Sequence, residues 1–85
     1  MTAADALDLI REYARLGMVV ITEHAAERMA QRRVYRRDLM NALRNAKRCT
    51  QSDGDKWKTT GPDVDGDALD VVVAIRSNLI VVTVY

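Results

Sequence analysis

The stretch with the densest chemical potential is Thr22-Glu23-His24-Ala25-Ala26-Glu27-Arg28-Met29-Ala30-Gln31-Arg32, which holds the only histidine of the 85 residues. On a helix turning about 100° per residue, His24, Arg28, Gln31 and Arg32 share one stripe, and Ala25, Ala26 and Met29 point away from it to bury. An imidazole beside a guanidinium suits phosphodiester chemistry. The histidine takes or gives a proton, while the arginine holds phosphate oxygens and stabilises charge building in the transition state. The plainer reading is a histidine hydrogen-bonded at a helix start beside arginines on a solvated face, and spacing alone favours it.

The remaining clusters offer less. Lys56 and Lys58 fall on one face of a strand and Trp57 on the other, where it serves the core. The two lysines extend a basic groove if their face meets the histidine stripe. Arg32, Arg33, Arg36 and Arg37 crowd the join of two helices and can touch phosphates. Helix-turn-helix base reading is disfavoured, because the second of those helices spends its face on Leu39, Met40 and Leu43. One histidine and one cysteine, without an acidic cluster at ligand spacing, do not build a zinc site, so no metal or cofactor is expected. Asp63, Asp65, Asp67 and Asp70 lack the glutamate of a calcium loop and read as hairpin chemistry. Cys49 reads as a small apolar filler on a strand.

Helical spacing of Ala6, Leu7, Ile10, Tyr13 and Ala14 predicts a first helix over about Thr2 to Leu16, with Thr2 as N-cap and Gly17 just past its end. Met18 to Ile21 is a short apolar connector with some strand character. Thr22 then caps a second helix over Glu23 to Arg32, and a third spans about Arg36 to Ala46. From Lys47 the pattern changes to strands near 47–52, 55–61, 67–76 and 79–85. Asp53-Gly54 and Asp65-Gly66 suit type I′ turns, and Ser77-Asn78 makes a third turn. Pro62 marks an edge or bulge at the end of the second of these strands. The expected fold is a single α+β domain: two to three N-terminal helices, residues 1–46, on a four-stranded antiparallel β-meander, residues 47–85.

Composition narrows the function classes. No apolar run nears the roughly 20 residues of a membrane span, and the acidic N-terminus is unlike a signal peptide, so no membrane partner is expected. One cysteine excludes an internal disulfide and fits a reducing, cytoplasmic setting. The net charge of +1 is unevenly spread: ten Lys/Arg against six Asp/Glu in residues 1–50, three against six in 51–85. Two halves neutralising each other account for this as well as an anionic partner does, and charge alone favours neutralisation.

Thr22-Glu23-His24-Ala25, Arg28-Met29, Arg32, Asp38-Leu39 and Ala42-Leu43 resemble the signature of domain-of-unknown-function family 4258. Lys56-Trp57, Gly61, Asp65-Gly66 and the ending Ile80 to Tyr85 are similar to its second half, so the resemblance spans roughly residues 7–85. It implies kinship with the small bacterial RelE-like and barnase/colicin-like toxins. From it follow the expectations of a metal-independent endoribonuclease, an RNA substrate (free or ribosome-bound) and a cognate antitoxin. His24 and Arg28 would be the catalytic pair, with Arg32, Gln31, Lys56, Lys58 and Tyr85 holding substrate. The other class kept open is a non-enzymatic protein- or nucleic-acid-binding module using the same stripe. Tyr35 departs from the family pattern, which commonly has a small helix-capping hydroxyl there.

Overall fold

The computed structural model describes all 85 residues. Its elements are α1 (Ala3–Arg15), β1 (Val19–Ile21), α2 (Glu23–Arg32), α3 (Arg36–Arg44), β2 (Arg48–Gln51), β3 (Lys56–Pro62), β4 (Ala68–Ile75) and β5 (Leu79–Val84). The class is α+β, as the sequence implies. The four-stranded antiparallel meander is corrected to a five-stranded mixed sheet in the order β1-β5-β4-β3-β2. Strands β2 to β5 do form the antiparallel meander. The fifth strand is the apolar connector before α2, which runs parallel to β5 with Val20 opposite Ile80. Three residues are too few to display strand periodicity. They become a strand because β5 offers its free edge, and the Leu79 N–H donates to the Met18 carbonyl.

The helix ends follow local chemistry. The Thr2 hydroxyl accepts from the Asp5 N–H at 3.1 Å, and the Asp5 carboxylate accepts from the Thr2 N–H at 3.4 Å, a reciprocal cap on α1. At its other end Gly17 takes φ 74°, while Gly17 and Met18 donate back to the Ala14 and Tyr13 carbonyls. α2 closes with the same pair of bonds, from Arg33 to Ala30 and from Val34 to Met29, but an arginine sits at φ 56° where glycine is favoured. A left-handed conformation costs a side-chain-bearing residue roughly 1–2 kcal/mol. Arg33→Gly is therefore expected to raise the thermal midpoint by roughly 4–8 °C in a domain of this size; an unchanged or lower midpoint in a calorimetric scan would contradict that account.

The third helix is shorter than its apolar pattern suggests, ending at Arg44 rather than Ala46. The Ala46 carbonyl accepts from Arg11 Nε at 2.8 Å and the Lys47 N–H donates to Thr60 at 2.8 Å, so the chain is already tied to α1 and to the sheet. The start of α3 is held by Asp38, whose buried carboxylate accepts the N–H groups of Tyr35 and Val64. That second bond fastens the helix to the turn between β3 and β4.

The helices cover one face of the sheet. Leu69, Val71, Val73, Leu79, Val81, Val84 and Trp57 meet Ile10, Ala25, Met29, Leu39 and Leu43 in a single core. The backbone of α3 lies directly on β3: a Cβ built on Gly61 would stand 2.0 Å from the Ala42 carbonyl oxygen. Pro62 closes β3 beyond Thr60, the last β3 residue paired with β2. The Asp-Gly turns differ from expectation. Within each turn positive φ is confined to the glycine, Gly54 or Gly66, so neither is the type I′ turn that needs two such residues. Gly54 takes the first central position of a turn closed from Lys56 to Asp53, and Gly66 the last position of one closed to Asp63. The Asp63 carboxylate accepts the N–H groups of Asp65 and Asp67, the hairpin role foreseen for it. No helix is long and apolar enough to cross a membrane.

Candidate functional site

Local chemistry fixes the position of α2. The Thr22 hydroxyl accepts the Ala25 N–H at 3.1 Å and donates to the Val81 carbonyl at 2.9 Å, so one side chain caps the helix and pins its start beside the middle of β5. His24 is thereby placed in the first turn of α2, exposed, with Gln31 and Arg32 exposed further along and Arg28 half-buried. These four side chains form no hydrogen bond or ion pair with the rest of the chain, leaving their polar groups available to a ligand. Of the residues expected to bury behind them, Ala25 and Met29 do so, while Ala26 is exposed.

The second group of expected substrate-holding residues lies on the helix-free face of the sheet. Lys56 pairs with Ala74 and Lys58 with Val72, both away from Trp57, which is buried among the helices. Lys58 Nζ sits 5.3 Å from the centroid of the Tyr85 ring and 4.0 Å from the Asp70 carboxylate. Asp70 also accepts from the Thr60 hydroxyl at 2.5 Å. Arg48, Thr50, Lys58, Thr60 and Asp70, together with Cys49, line a shallow pocket of about 160 Å³.

Lys58 and Tyr85 thus meet, as sequence spacing could not say, but no hydrogen bond or ion pair joins them to the α2 stripe. Lys58 and Tyr85 lie toward the C-terminal end of β5, whereas Lys56 is level with Ile80 near its start. Thr22 anchors α2 at Val81 and Val82, and β5 reaches Tyr85 three residues later, on the face opposite Val84. Asp70 belongs to this group rather than to hairpin chemistry, a correction that a hairpin centred on Asp65 makes legible. That register places Asp70 across from Thr60.

Charge is distributed decisively. The four ion pairs are Arg11–Asp8, Arg15–Glu12, Lys58–Asp70 and Arg76–Asp55, and none joins the basic half to the acidic half. Between residues 28 and 52 stand Arg28, Arg32, Arg33, Arg36, Arg37, Arg44, Lys47 and Arg48 against the single carboxylate of Asp38. That carboxylate is engaged by backbone N–H groups. The halves do not cancel through contact. The eight cations remain without ion-pair partners.

Cys49 does not join the chemistry. Its thiol is buried against the Ala3 carbonyl at 3.1 Å, and burial raises its pKa above the ordinary 9.0, outweighing the nearby Arg11 charge that lowers it. The folded state therefore favours the neutral thiol. The stability this contributes is present below the unfolded value and lost as pH rises through the higher folded one. Iodoacetamide at about pH 8 should alkylate native Cys49 more slowly than the urea-unfolded chain, since the thiolate is the nucleophile. Equal rates would show the thiol to be open.

The arrangement defines a small α+β domain with helix cations outside any ion pair and a polar, partly aromatic patch on the helix-free face of its sheet. Residues 21–85 match the family described as domain of unknown function DUF4258, and the chain belongs to that family. The match starts at Ile21, so α1 lies outside it, a shorter span than the resemblance suggested. No curated protein and no solved structure matches the chain.

Proposed function

We propose that this protein is a toxin-type endoribonuclease that binds RNA through its cations from Arg28 to Arg48 and cleaves it without a metal ion. The observation supporting this reading most directly is the set of eight cations between residues 28 and 48, none ion-paired. Cations held apart from carboxylates bind a polyanion by releasing its counterions.

Cleavage would begin with His24 accepting the proton of a ribose 2′-hydroxyl. The 2′-oxygen attacks the adjacent phosphorus while the bond to the 5′-oxygen breaks, leaving a 2′,3′-cyclic phosphate. The departing 5′-oxygen takes back one proton, from the imidazolium or from water. Arg28, one helical turn from His24, would hold the non-bridging phosphate oxygens as their charge grows. Arg32 and Gln31 continue the track along α2. Lys56, Lys58 and Tyr85 would receive the strand on the helix-free face of the sheet, with Tyr85 offering a ring on which a base can stack. A cognate neutralising protein accompanies this reading.

Because His24 is exposed and lacks a partner to orient it, the competing reading is an RNA-binding module without catalysis. Incubating purified protein with a single-stranded RNA in EDTA separates the two. The enzyme reading expects fragments ending in a 2′,3′-cyclic phosphate, whereas RNA that is bound but intact leaves only the module.

A further inference from the structure

The other flank of α2 carries an apolar floor that RNA cleavage does not use, rimmed by arginines that the proposed RNA track shares. Ala26 and Ala30, one turn apart, are both exposed, and with Ile21, Met29, Val34 and Tyr35 they floor an apolar groove of about 440 Å³. That is within the roughly 300–1,000 Å³ of ligand-binding clefts. Arg33 and Arg36 complete its lining, and Arg37 stacks over the Tyr35 ring at 5.0 Å from its centroid. None of the three arginines is ion-paired. Tyr35 is 59% exposed, and its backbone N–H donates to the Asp38 carboxylate.

We infer that this groove docks an acidic, amphipathic helical segment of a partner protein. The segment's apolar face lies on Ala26, Ala30 and Tyr35, and its carboxylates lie against Arg33 and Arg36. The charge of the rim selects the occupant: apolar floors with cationic borders take helices that alternate apolar anchors with Asp or Glu. Small residues at one-turn spacing let such a helix approach closely. RNA is the poorer fit, because a phosphate backbone needs cations but gains nothing from an alanine floor. A second copy is also poorer, because the apolar residues of its acidic helix α1, Ala6, Ile10 and Ala14, are already buried in its own core. Ala26 and Ala30 lie roughly 120–160° around α2 from His24, so a docked segment leaves the histidine open. The inference does not depend on catalysis.

Selection from a displayed random library of roughly 16-residue peptides tests this directly, since such a length spans the groove as a helix. Enriched peptides should be acidic, with apolar residues recurring at i, i+3 or i+4, and i+7. Binding of the best synthetic peptide, followed by fluorescence polarisation, should fall at least about tenfold in Ala30→Gln, which fills the floor without changing charge. It should also fall in Arg33→Gly, which removes a rim cation while relieving a left-handed arginine. Ala26→Gln serves as a second floor variant should Ala30→Gln fail to fold. The inference is overturned by a library without binders, by enriched peptides that are not acidic, or by floor variants that bind as well as the parent. It is equally overturned if a single-stranded RNA displaces the peptide and itself loses affinity in Ala30→Gln, or if sedimentation shows a dimer that Ala30→Gln dissociates.

Discussion

If the proposed mechanism holds, replacing His24 with alanine is expected to reduce RNA cleavage roughly 10²- to 10⁴-fold, the contribution typical of a general base that the bound RNA brings into place. RNA binding should change little, because in the proposed mechanism the imidazole would act on a proton while the cations would hold the strand. Stability should stay within about 0.5 kcal/mol, since His24 is exposed and hydrogen-bonds to nothing in the chain. Arg28→Ala is the informative companion. It removes both a binding cation and the charge that answers the transition state, so KM should rise as kcat falls. Single-turnover cleavage of a labelled RNA, beside a filter-binding titration, reads both effects. Should His24→Ala cleave at the parental rate while Arg28→Ala no longer binds, the catalytic assignment is wrong and the stripe is a binding surface.

Gly61→Ala should cost more stability than any other single methyl group added at a glycine of this chain. The new Cβ would meet the Ala42 carbonyl oxygen at 2.0 Å, with the Ala42 carbonyl carbon at 2.8 Å. Both are backbone atoms, so no rotamer change relieves the clash, and α3 must lift from β3. Overpacking a core typically costs 1–3 kcal/mol and occasionally more, and a rigid backbone contact belongs at about 3 kcal/mol or above. A domain of this size holds only about 4–13 kcal/mol in total, so the thermal midpoint should fall by about 12 °C or more. Gly66→Ala is the control: φ is 89° there, but nothing stands within 4 Å of the added methyl. Its cost is therefore conformational alone. Urea unfolding of both variants decides the matter, and equal losses would show that close helix–strand approach is not what Gly61 provides.

Much of this fold was legible because its signals are local. Thr2 and Thr22 cap the helices they precede, Gly17 ends the first, and apolar alternation puts Trp57 inside and Lys56 and Lys58 outside. The features that local pattern does not encode have their deciding partner distant along the chain. Val19 to Ile21 is a strand only because β5 lies beside it, some sixty residues later. Ala46 leaves the helical pattern because Arg11 and Thr60 claim its neighbourhood. The Asp-Gly pairs announce turns correctly, but turn type depends on how the flanking strands emerge.

The candidate site divides in the same way. One helical period suffices to put His24, Arg28, Gln31 and Arg32 on a stripe, because residues four apart on a helix are neighbours whatever surrounds them. The sequence by itself also determined the excess of cations in the first half. Whether those cations were neutralised depended on which side chains come within a few ångströms across the fold. Tertiary structure decided it: all four ion pairs are internal to one half or the other. The same long-range packing set Lys58 over Tyr85 and opened the groove beside Ala26 and Ala30, since strand register and helix docking are fixed by contacts that no local pattern encodes.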